Sequence, residues 1–425
     1  MMIFEIHDNY VPSSWLYSSM NHTDSVFLDS SMNNSLGKRS YIGIIPFKIY
    51  TPDNCNLDDT LDKIGDSTLM GFISYDYGME SMGCISDHPA SGIPLFVLAD
   101  FDIVIEENIC EKNLVIMCKG RVMSEKKEME YVLNLIDSCK QPHIPLVPPP
   151  ESVEFTDGQS FVESVKKAKQ YEKDGEFYVI NLSRRIRVKS SADPYDVFMR
   201  LRNISPSPYG AFLNLSGISV ISSSMELLLE IDNGNARTRP IKGTSPRTGN
   251  TKQDEISLGK LLSSEKDREE LLMVTDMERN DMNLFCIPGS VKVDGFFIPK
   301  AYSTLYHTVS DITGRIKNDV NLGYIVSCMF PGGSVTGAPK KACIENIDKL
   351  EDSRRGMYTG SVCLFSKKRT VMNIAIRTMT ASNGLYEIGI GGGITYRSDE
   401  YSELEETIQK GKALMYALGV EDESR

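Results

Sequence analysis

The chain has 425 residues, of which 41% are hydrophobic, and it carries a formal net charge of −12 at pH 7. A chain of this size buries a large core in one or two domains, and its acidity argues against general binding to nucleic acid or to anionic membranes. It has no apolar run long enough for a transmembrane helix, no secretory signal at its start and no CxxC pair among its nine cysteines. We therefore expect a soluble, cytoplasmic protein without a disulfide framework or a structural zinc site.

The first third of the chain alternates short apolar runs with turn residues, which predicts antiparallel strands. The predicted strands cover residues 25–31, 40–50, 69–78, 101–107 and 113–120. A helical spacing of apolar residues follows at 126–139. Residues 141–150 then hold five prolines, which neither a helix nor a central strand accommodates. We predict an N-terminal region at 1–140, a proline-rich linker at 141–154 and a second domain at 155–425.

The second domain mixes helical and strand-like segments without regular alternation. Helical spacing occurs at 161–176, at 257–282 and at the C-terminal segment 402–419. Strand-like runs cover 177–188, 210–223, 225–232, 290–298, 360–366 and 370–381. Because strands and helices do not alternate regularly, the pattern argues against a parallel doubly wound sheet, and an α+β architecture with large antiparallel sheets is predicted.

Two acidic pairs stand on the predicted helices. Asp267 and Glu270 are three residues apart, and so are Glu403 and Glu406, so each pair shares one helix face. If the two faces met, their carboxylates would suit Mg²⁺, which prefers oxygen ligands and keeps several waters. Ordinary solvated helix faces are the alternative interpretation of the same pattern.

Glycine-rich turns and four single side chains complete the candidate chemistry. The turns lie at 240–244, 330–341 and 388–399. They lack the spacing of a Walker A or dinucleotide motif, so they are either anion-binding backbone or plain tight turns. The side chains are His307, Tyr358, Arg377 and Lys410. Arg377 interrupts an apolar strand-like run, which indicates a carboxylate partner from either a substrate or a structural salt bridge.

The order of these motifs resembles a known family. From about residue 155 to the end, the chain is similar to the chorismate-binding domain shared by anthranilate, aminodeoxychorismate, isochorismate and salicylate synthases. The matching strings are RPIKGTSPR, KDREELLMVTDMERNDM, HTVSDITGRI, FPGGSVTGAPKKACIENIDKLE, RRGMYTGSV, IAIRTM and GIGGGITYRSDEYSELEETIQK. The first third also resembles the N-terminal region of anthranilate synthase component I. The resemblance implies two antiparallel sheets packed face to face with helices outside.

The resemblance also implies a role for each matching residue. It implies that Mg²⁺ is held by Glu270 and Glu406, with Asp267 and Glu403 beside them, and bridges to the ring carboxylate of chorismate. The residues implied to hold the pyruvyl carboxylate are Tyr358, Arg377, Gly391, Gly392 and Gly393, and those implied to face the site or line the ring are Lys410, Gly243 and Thr244.

His307 and Glu226 are implied to lie near the departing C4 hydroxyl, where Glu226 acts as general acid. The chain departs from the family just before this glutamate. Ser224-Met225-Glu226 stands where the family usually has Ser-Pro-Glu, so the turn is expected to be looser.

Two positions bear on the branch of the family. Val179 stands where isochorismate and salicylate synthases have a water-activating lysine, which argues against those activities. Lys242 matches the aminodeoxychorismate branch, as does Asn181, whereas anthranilate synthases carry alanine at the position of Lys242. A neutral amine there would attack C2 of chorismate and expel the C4 hydroxyl, after which ammonia would attack C4 and release the lysine. Alternatively, Lys242 only contacts a substrate oxygen or faces solvent.

The main alternative is an anthranilate synthase component I, which would add ammonia at C2 and release pyruvate. Leu28-Asp29-Ser30 and Pro206-Ser207-Pro208-Tyr209 partly match the tryptophan pocket of those enzymes, so tryptophan binding near Ser30 and Pro206 is a further expectation. The chain contains no glutaminase motif. The resemblance therefore implies that ammonia comes from a separate glutamine amidotransferase subunit.

Overall fold

A computed structural model describes residues 1–32, 36–302 and 305–420. The strands are β1 (Met2–Ile6), β2 (Ser25–Asp29), β3 (Arg39–Tyr50), β4 (Thr68–Ile73), β5 (Phe96–Asn108), β6 (Asn113–Cys118), β7 (Ser152–Phe155), β8 (Val179–Lys189), β9 (Tyr209–Leu215), β10 (Ile218–Ser224), β11 (Leu227–Asp232), β12 (Asn235–Arg239), β13 (Ile241–Pro246), β14 (Lys292–Ala301), β15 (Leu305–Arg315), β16 (Gly337–Ala338), β17 (Ser361–Ser366), β18 (Arg369–Asn373), β19 (Thr378–Ser382) and β20 (Leu385–Ile394). The helices are α1 (Ser13–Ser18), α2 (Leu57–Asp62), α3 (Tyr75–Ser81), α4 (Glu125–Ser138), α5 (Gly158–Lys173), α6 (Pro194–Ile204), α7 (Thr251–Leu262), α8 (Glu265–Phe285), α9 (Leu322–Met329), α10 (Lys340–Leu350) and α11 (Glu400–Ala417), with a 3₁₀ turn at Gly333–Val335.

The strands form two antiparallel leaves that share β5. The first leaf runs in the spatial order β14, β15, β12 with β13, β11, β18, β17 and β4. The second leaf runs β3, β2, β9, β10, β19, β20 and β8. Because β5 pairs with β4 on one edge and with β3 on the other, the two leaves are parts of one continuous β-sheet.

The two leaves pack face to face over a buried apolar layer. Phe72 and Leu364 of the first leaf and Val26, Leu213 and Val220 of the second belong to one buried cluster. Helices α4, α6 and α11 cover the outer side of the second leaf, and α8 and α9 cover that of the first, each over its own apolar cluster. The predicted α+β fold of two antiparallel sheets with helices outside is confirmed, with the addition that β5 joins the sheets.

Strands from both sides of the proline-rich segment share ladders. Strand β2 pairs with β9, and β4 pairs with β17, so the first third of the chain contributes strands to both leaves. Residues 141–150 themselves form no helix or strand. The division into an N-terminal region, a linker and a catalytic domain stays a prediction. No helix among the described residues combines the length and apolarity needed to cross a membrane.

Serine caps explain two places where the predicted elements differ from the observed ones. The predicted strand 69–78 ends at Ile73, because the Ser74 side chain accepts a hydrogen bond from the Tyr77 N–H and starts α3. The predicted helix 257–282 is broken at residues 263 and 264, where Ser264 caps α8 by accepting from the Asp267 N–H at 3.2 Å.

Candidate active site

A recess lies where β8, β13, β20 and α8 converge, and its empty space, counted together with the part open to solvent, is about 240 Å³. It is lined by Val179, Asn181, Lys242, Glu270, Met273, Val274, Gly333, Ser334, Thr336, Gly337 and Gly393. Several of the residues singled out in the sequence therefore meet in one place. The elements that carry them are far apart in the chain, so only the sheet topology brings them together.

A bulge in β13 directs Lys242 towards this recess. The pairing of β13 with β15 shifts register between Lys242 and Thr244, and Gly243 between them has a φ of +72°. A side chain at Gly243 would also lie 3.1 Å from Asp267, so glycine lets the strand approach α8 closely. The Lys242 ammonium lies 3.5 Å from the Ser334 carbonyl oxygen and 3.9 Å from Glu270 Oε2.

His307 lies next to the same bulge and is neutral. Its Nδ1 is 3.0 Å from the carbonyl oxygen of Gly243 and 3.0 Å from Thr244 Oγ1. Because a carbonyl only accepts, Nδ1 carries the proton and Nε2 is left as an acceptor. Burial lowers the pKa of His307 to about 4, and the cationic Arg377 and Lys410 act in the same direction. Nε2 is buried and has no hydrogen-bond partner among the described residues.

Glu226 is a buried carboxyl at the turn between β10 and β11. It is 3% exposed, and its Oε1 accepts a hydrogen bond from the Ile241 N–H at 3.3 Å. Burial raises the pKa of this carboxyl, which favours its protonated form. The turn is held without the family's proline, because the Ser224 hydroxyl bonds to the Ile374 carbonyl and accepts from the Glu226 N–H. The expectation that this turn is looser than in the family stays a prediction.

The glycines of β20 allow the lysines and glutamates to approach the sheet. Gly391, Gly392 and Gly393 pair with residues 183, 182 and 181 of β8. A β-carbon at Gly392 would lie 3.3 Å from the Lys410 ammonium, and one at Gly393 would lie 3.2 Å from that of Lys242. The Lys410 ammonium also donates to the Gly391 carbonyl at 2.9 Å. Because these glycines have no side chains, the charged groups can lie directly against the backbone of β20.

Three of the four paired carboxylates, those of Glu270, Glu403 and Glu406, lie beside Gly392 and Gly393 and are matched by lysines, whereas Asp267 lies beside Gly243. Glu406 lies 2.6 Å from Lys410, and Glu403 lies 3.7 Å from Lys266. Glu270 lies 3.9 Å from Lys266. Burial alone would raise the pKa of Glu406, but the Lys410 ammonium outweighs it and lowers this pKa below its usual range. Burial, together with the charge of Glu406, raises the pKa of Glu403.

The carboxylates have the donor chemistry that Mg²⁺ requires. Glu270, Glu403 and Glu406 offer anionic oxygens at adjoining positions around Gly392 and Gly393. Within residues 1–32, 36–302 and 305–420, no three histidine, cysteine or acidic side chains form a closed cluster around one point. Magnesium is commonly bound by only one or two carboxylates, with waters and substrate oxygens completing its shell. The donor set therefore fits this ion.

Tyr358 and Arg377 lie near Glu226 and His307, because the charge of Arg377 acts on both His307 and Tyr358 and that of Glu226 acts on Tyr358. The Tyr358 ring packs on Gly389, where an added β-carbon would lie 2.2 Å from the ring. Arg377 has a φ of +51° at the break between β18 and β19, and burial lowers the pKa of its guanidinium. In the described part of the chain, no carboxylate lies within ion-pair distance of Arg377. A structural salt bridge, one of the two interpretations left open, is thus not formed there.

Sequence reasoning missed two groups that hold the site in shape. Arg355 is fully buried and binds Glu351 at 2.6 Å, the Asn181 carbonyl at 2.7 Å and the Val335 carbonyl at 2.8 Å, and it lies 5.6 Å from the Tyr358 ring. Arg355 stands three residues before Tyr358 in the motif RRGMYTGSV, and this proximity to a candidate site residue could have indicated its role. Lys266 was also missed, although its spacing of four from Glu270 predicts an ion pair.

A second recess lies between β2, β3 and the start of β9, and its empty space, counted together with the part open to solvent, is about 560 Å³. Its lining includes Asp29, Arg39, Tyr41, Pro208, Tyr209, Glu230 and Arg369. Asp29 is held by Arg202 at 2.9 Å, and the buried Ser30 hydroxyl has no hydrogen-bond partner among the described residues. The recess therefore adjoins the segments around Ser30 and Pro206 that the sequence singled out.

Comparison with known proteins agrees with this geometry. A family model described as chorismate binding enzyme matches residues 47–416. The chain therefore belongs to the family of chorismate-binding enzymes. A solved structure of anthranilate synthase component I from Streptococcus pneumoniae superposes with a TM-score of 0.79 at 22% identity, covering 96% of this chain and 98% of that one. At that identity the likeness shows the shared fold.

Curated relatives carry two different names. The chain is 39% identical to anthranilate synthase component 1 1 of Haloarcula marismortui over 261 residues, which are 61% of this chain and 53% of that protein. It is 32% identical to aminodeoxychorismate synthase component 1 of Bacillus subtilis over 366 residues, which are 83% of this chain and 77% of that protein. The match to the first relative thus spans about half of that relative's length.

Proposed function

We propose that this protein is component I of an aminodeoxychorismate synthase, which aminates chorismate with ammonia to give 4-amino-4-deoxychorismate and water. The observation that carries the proposal is the Lys242 side chain, which is 15% exposed and reaches the recess between the Ser334 carbonyl and Gly393. Val179 lines the same recess and cannot accept a proton, which argues against activation of water there.

Lys242 is proposed as the nucleophile. After loss of a proton, its amine attacks C2 of chorismate, both ring double bonds shift by one position towards C4, and the C4 hydroxyl leaves as water. Ammonia then attacks C4, both double bonds shift back, and the amine of Lys242 leaves from C2. The second step returns the enzyme to its starting form, so the net change exchanges the hydroxyl for an amino group.

Glu226 and His307 are proposed to act at the departing hydroxyl. Burial raises the pKa of Glu226 and so favours its protonated form, which can donate the proton that turns a poor leaving group into water. Neutral His307 presents Nε2 as an acceptor that can orient this hydroxyl. Tyr358 and Arg377, the latter without a carboxylate partner among the described residues, are proposed to bind the pyruvyl carboxylate.

Magnesium is the proposed cofactor, with Glu270 and Glu406 as its ligands and Asp267 and Glu403 beside them. When bound, it would neutralise the ring carboxylate of chorismate and orient the ring. The support is the donor chemistry of these side chains around Gly392 and Gly393. Ammonia is proposed to come from a separate glutamine amidotransferase subunit, because relatives are named component 1 and the sequence has no glutaminase motif.

Anthranilate synthase is the second candidate. It is favoured by the relatives from Haloarcula and by the recess beside Ser30, which we propose as a tryptophan site. In that reaction ammonia adds at C2, and pyruvate and water leave. Isothermal titration with tryptophan would test the recess, and absence of binding would remove this part of the proposal.

Product identification separates the two functions. The purified protein is incubated with chorismate, ammonium and Mg²⁺, with and without an aminodeoxychorismate lyase, and products are separated chromatographically. We expect 4-aminobenzoate only with the lyase, and a loss of at least about 10²-fold in Lys242→Ala, because a positioned nucleophile is removed. Lys169→Ala, a lysine outside the recess, is the control. Anthranilate as the main wild-type product would refute the proposal.

A further inference from the structure

Lys266 bridges the two acidic helices at the proposed metal site. It stands one turn before Glu270 on α8, and its ammonium lies 3.9 Å from Glu270 Oε1 and 3.7 Å from Glu403 Oε1 of α11. The other oxygen of Glu270 faces Lys242 at 3.9 Å, and Glu406 faces Lys410 at 2.6 Å. The three glutamates are therefore already neutralised by three lysines of the chain itself.

The three lysines differ in how easily their ammonium groups can move away from the glutamates. The Lys242 side chain is 15% exposed and that of Lys410 is 33% exposed, and Lys410 also bonds to the Gly391 carbonyl. The Lys266 side chain is 49% exposed, and among the described residues its ammonium makes ion pairs at 3.7 and 3.9 Å and no hydrogen bond. An exposed ion pair of this kind contributes little, so water can replace it readily.

A bound cation and the Lys266 ammonium compete for the same oxygens. Magnesium binds carboxylate oxygens at about 2.0–2.1 Å, and an ammonium held within 4 Å of those oxygens would repel it. We propose that Lys266 is an internal counter-cation, which occupies the carboxylates of Glu270 and Glu403 in the metal-free protein and swings into solvent when Mg²⁺ binds. This inference rests on the proposed magnesium site. It adds that Lys266 offsets part of the repulsion between Glu270 of α8 and Glu403 of α11 in the metal-free protein.

The test measures the binding of Mg²⁺ alone, by calorimetry, and the thermal unfolding of the protein with and without Mg²⁺. Lys266→Met removes the competing charge while keeping the length of the side chain. We expect it to bind Mg²⁺ up to about fivefold more tightly than wild type, the range of one exposed ion pair, and to gain more in Tm from Mg²⁺. Lys266→Arg, whose fork can bind carboxylates bidentately, should bind Mg²⁺ more weakly than wild type.

Lys169→Met is the matched control, because Lys169 also joins α11 to another helix, through Glu400 at 3.2 Å, but away from the recess. It should leave the affinity for Mg²⁺ unchanged. Equal or weaker binding by Lys266→Met, or binding by Lys266→Arg as tight as that by Lys266→Met, would overturn the inference while the metal site stands. Absence of Mg²⁺ binding by wild type and Lys266→Met alike would overturn both.

Discussion

The buried neutral His307 predicts a specific pH dependence of stability. Its pKa is lowered from 6.5 to about 4 by burial, so the folded state resists protonation at this position. In the unfolded chain the histidine is exposed and takes up its proton near pH 6.5. The contribution of His307 is therefore fully present above pH 6.5 and is lost as the pH falls towards 4, because protons bind preferentially to the unfolded state.

The size of this effect follows from the two pKa values. At pH 5 an unfolded histidine is almost fully protonated, while the folded one is still mostly neutral. Integrating the difference in bound protons from pH 7 to pH 5 gives a loss of about 2 kcal/mol from this one residue. His307 is 4% exposed, so solvent screening reduces the figure little.

Urea unfolding of wild type and His307→Gln at several pH values between 7 and 5 measures this contribution. Glutamine cannot gain a charge in this range, so the variant should lose about 2 kcal/mol less than wild type over the interval. The absolute stability of the variant does not matter, because only the difference in slope is used. His7, whose side chain is 63% exposed, supplies a control through His7→Gln, which should leave the slope close to that of wild type. Identical slopes for wild type and His307→Gln would refute the assignment of a neutral, buried His307.

Three further predictions follow from the site. Glu406→Gln should abolish turnover of chorismate with ammonium and Mg²⁺, because it removes a proposed metal ligand. The control variant Glu405→Gln, on the exposed face of α11, should remain active. A fully active Glu406→Gln would contradict the metal assignment. Arg355→Met should lower the free energy of unfolding by about 3–5 kcal/mol in urea titrations, because it leaves buried Glu351 unpaired, and a loss below 1 kcal/mol would show that the pair is dispensable. The purified chain should consume ammonium but not glutamine in a product assay, and glutamine-driven turnover would exclude the need for a separate amidotransferase.

Much of this protein could be predicted from the sequence because the signals are local. Apolar alternation identified the strands around residues 40–50 and 113–120, and the helical spacing of 402–419 identified α11. The acidic pairs of α8 and α11 were also visible, because residues three apart on a helix share a face whatever surrounds them. The ordered motifs supported the family and the fold, both of which are confirmed.

Other features depend on contacts between distant segments, which no local pattern contains. The sequence predicts one continuous strand across Ser74 and another across Arg377, because apolar residues lie on either side of both. The structure instead begins a helix after Ser74 and breaks the second strand at Arg377. The pairing of β4 with β17 joins residues almost three hundred positions apart. Only the folded chain shows that the Gly243 bulge aims Lys242 at the recess, that His307 is buried and neutral, and that Lys266 bridges two acidic helices. Burial and charge are properties of a residue's surroundings in space, and the tertiary structure alone determines those surroundings.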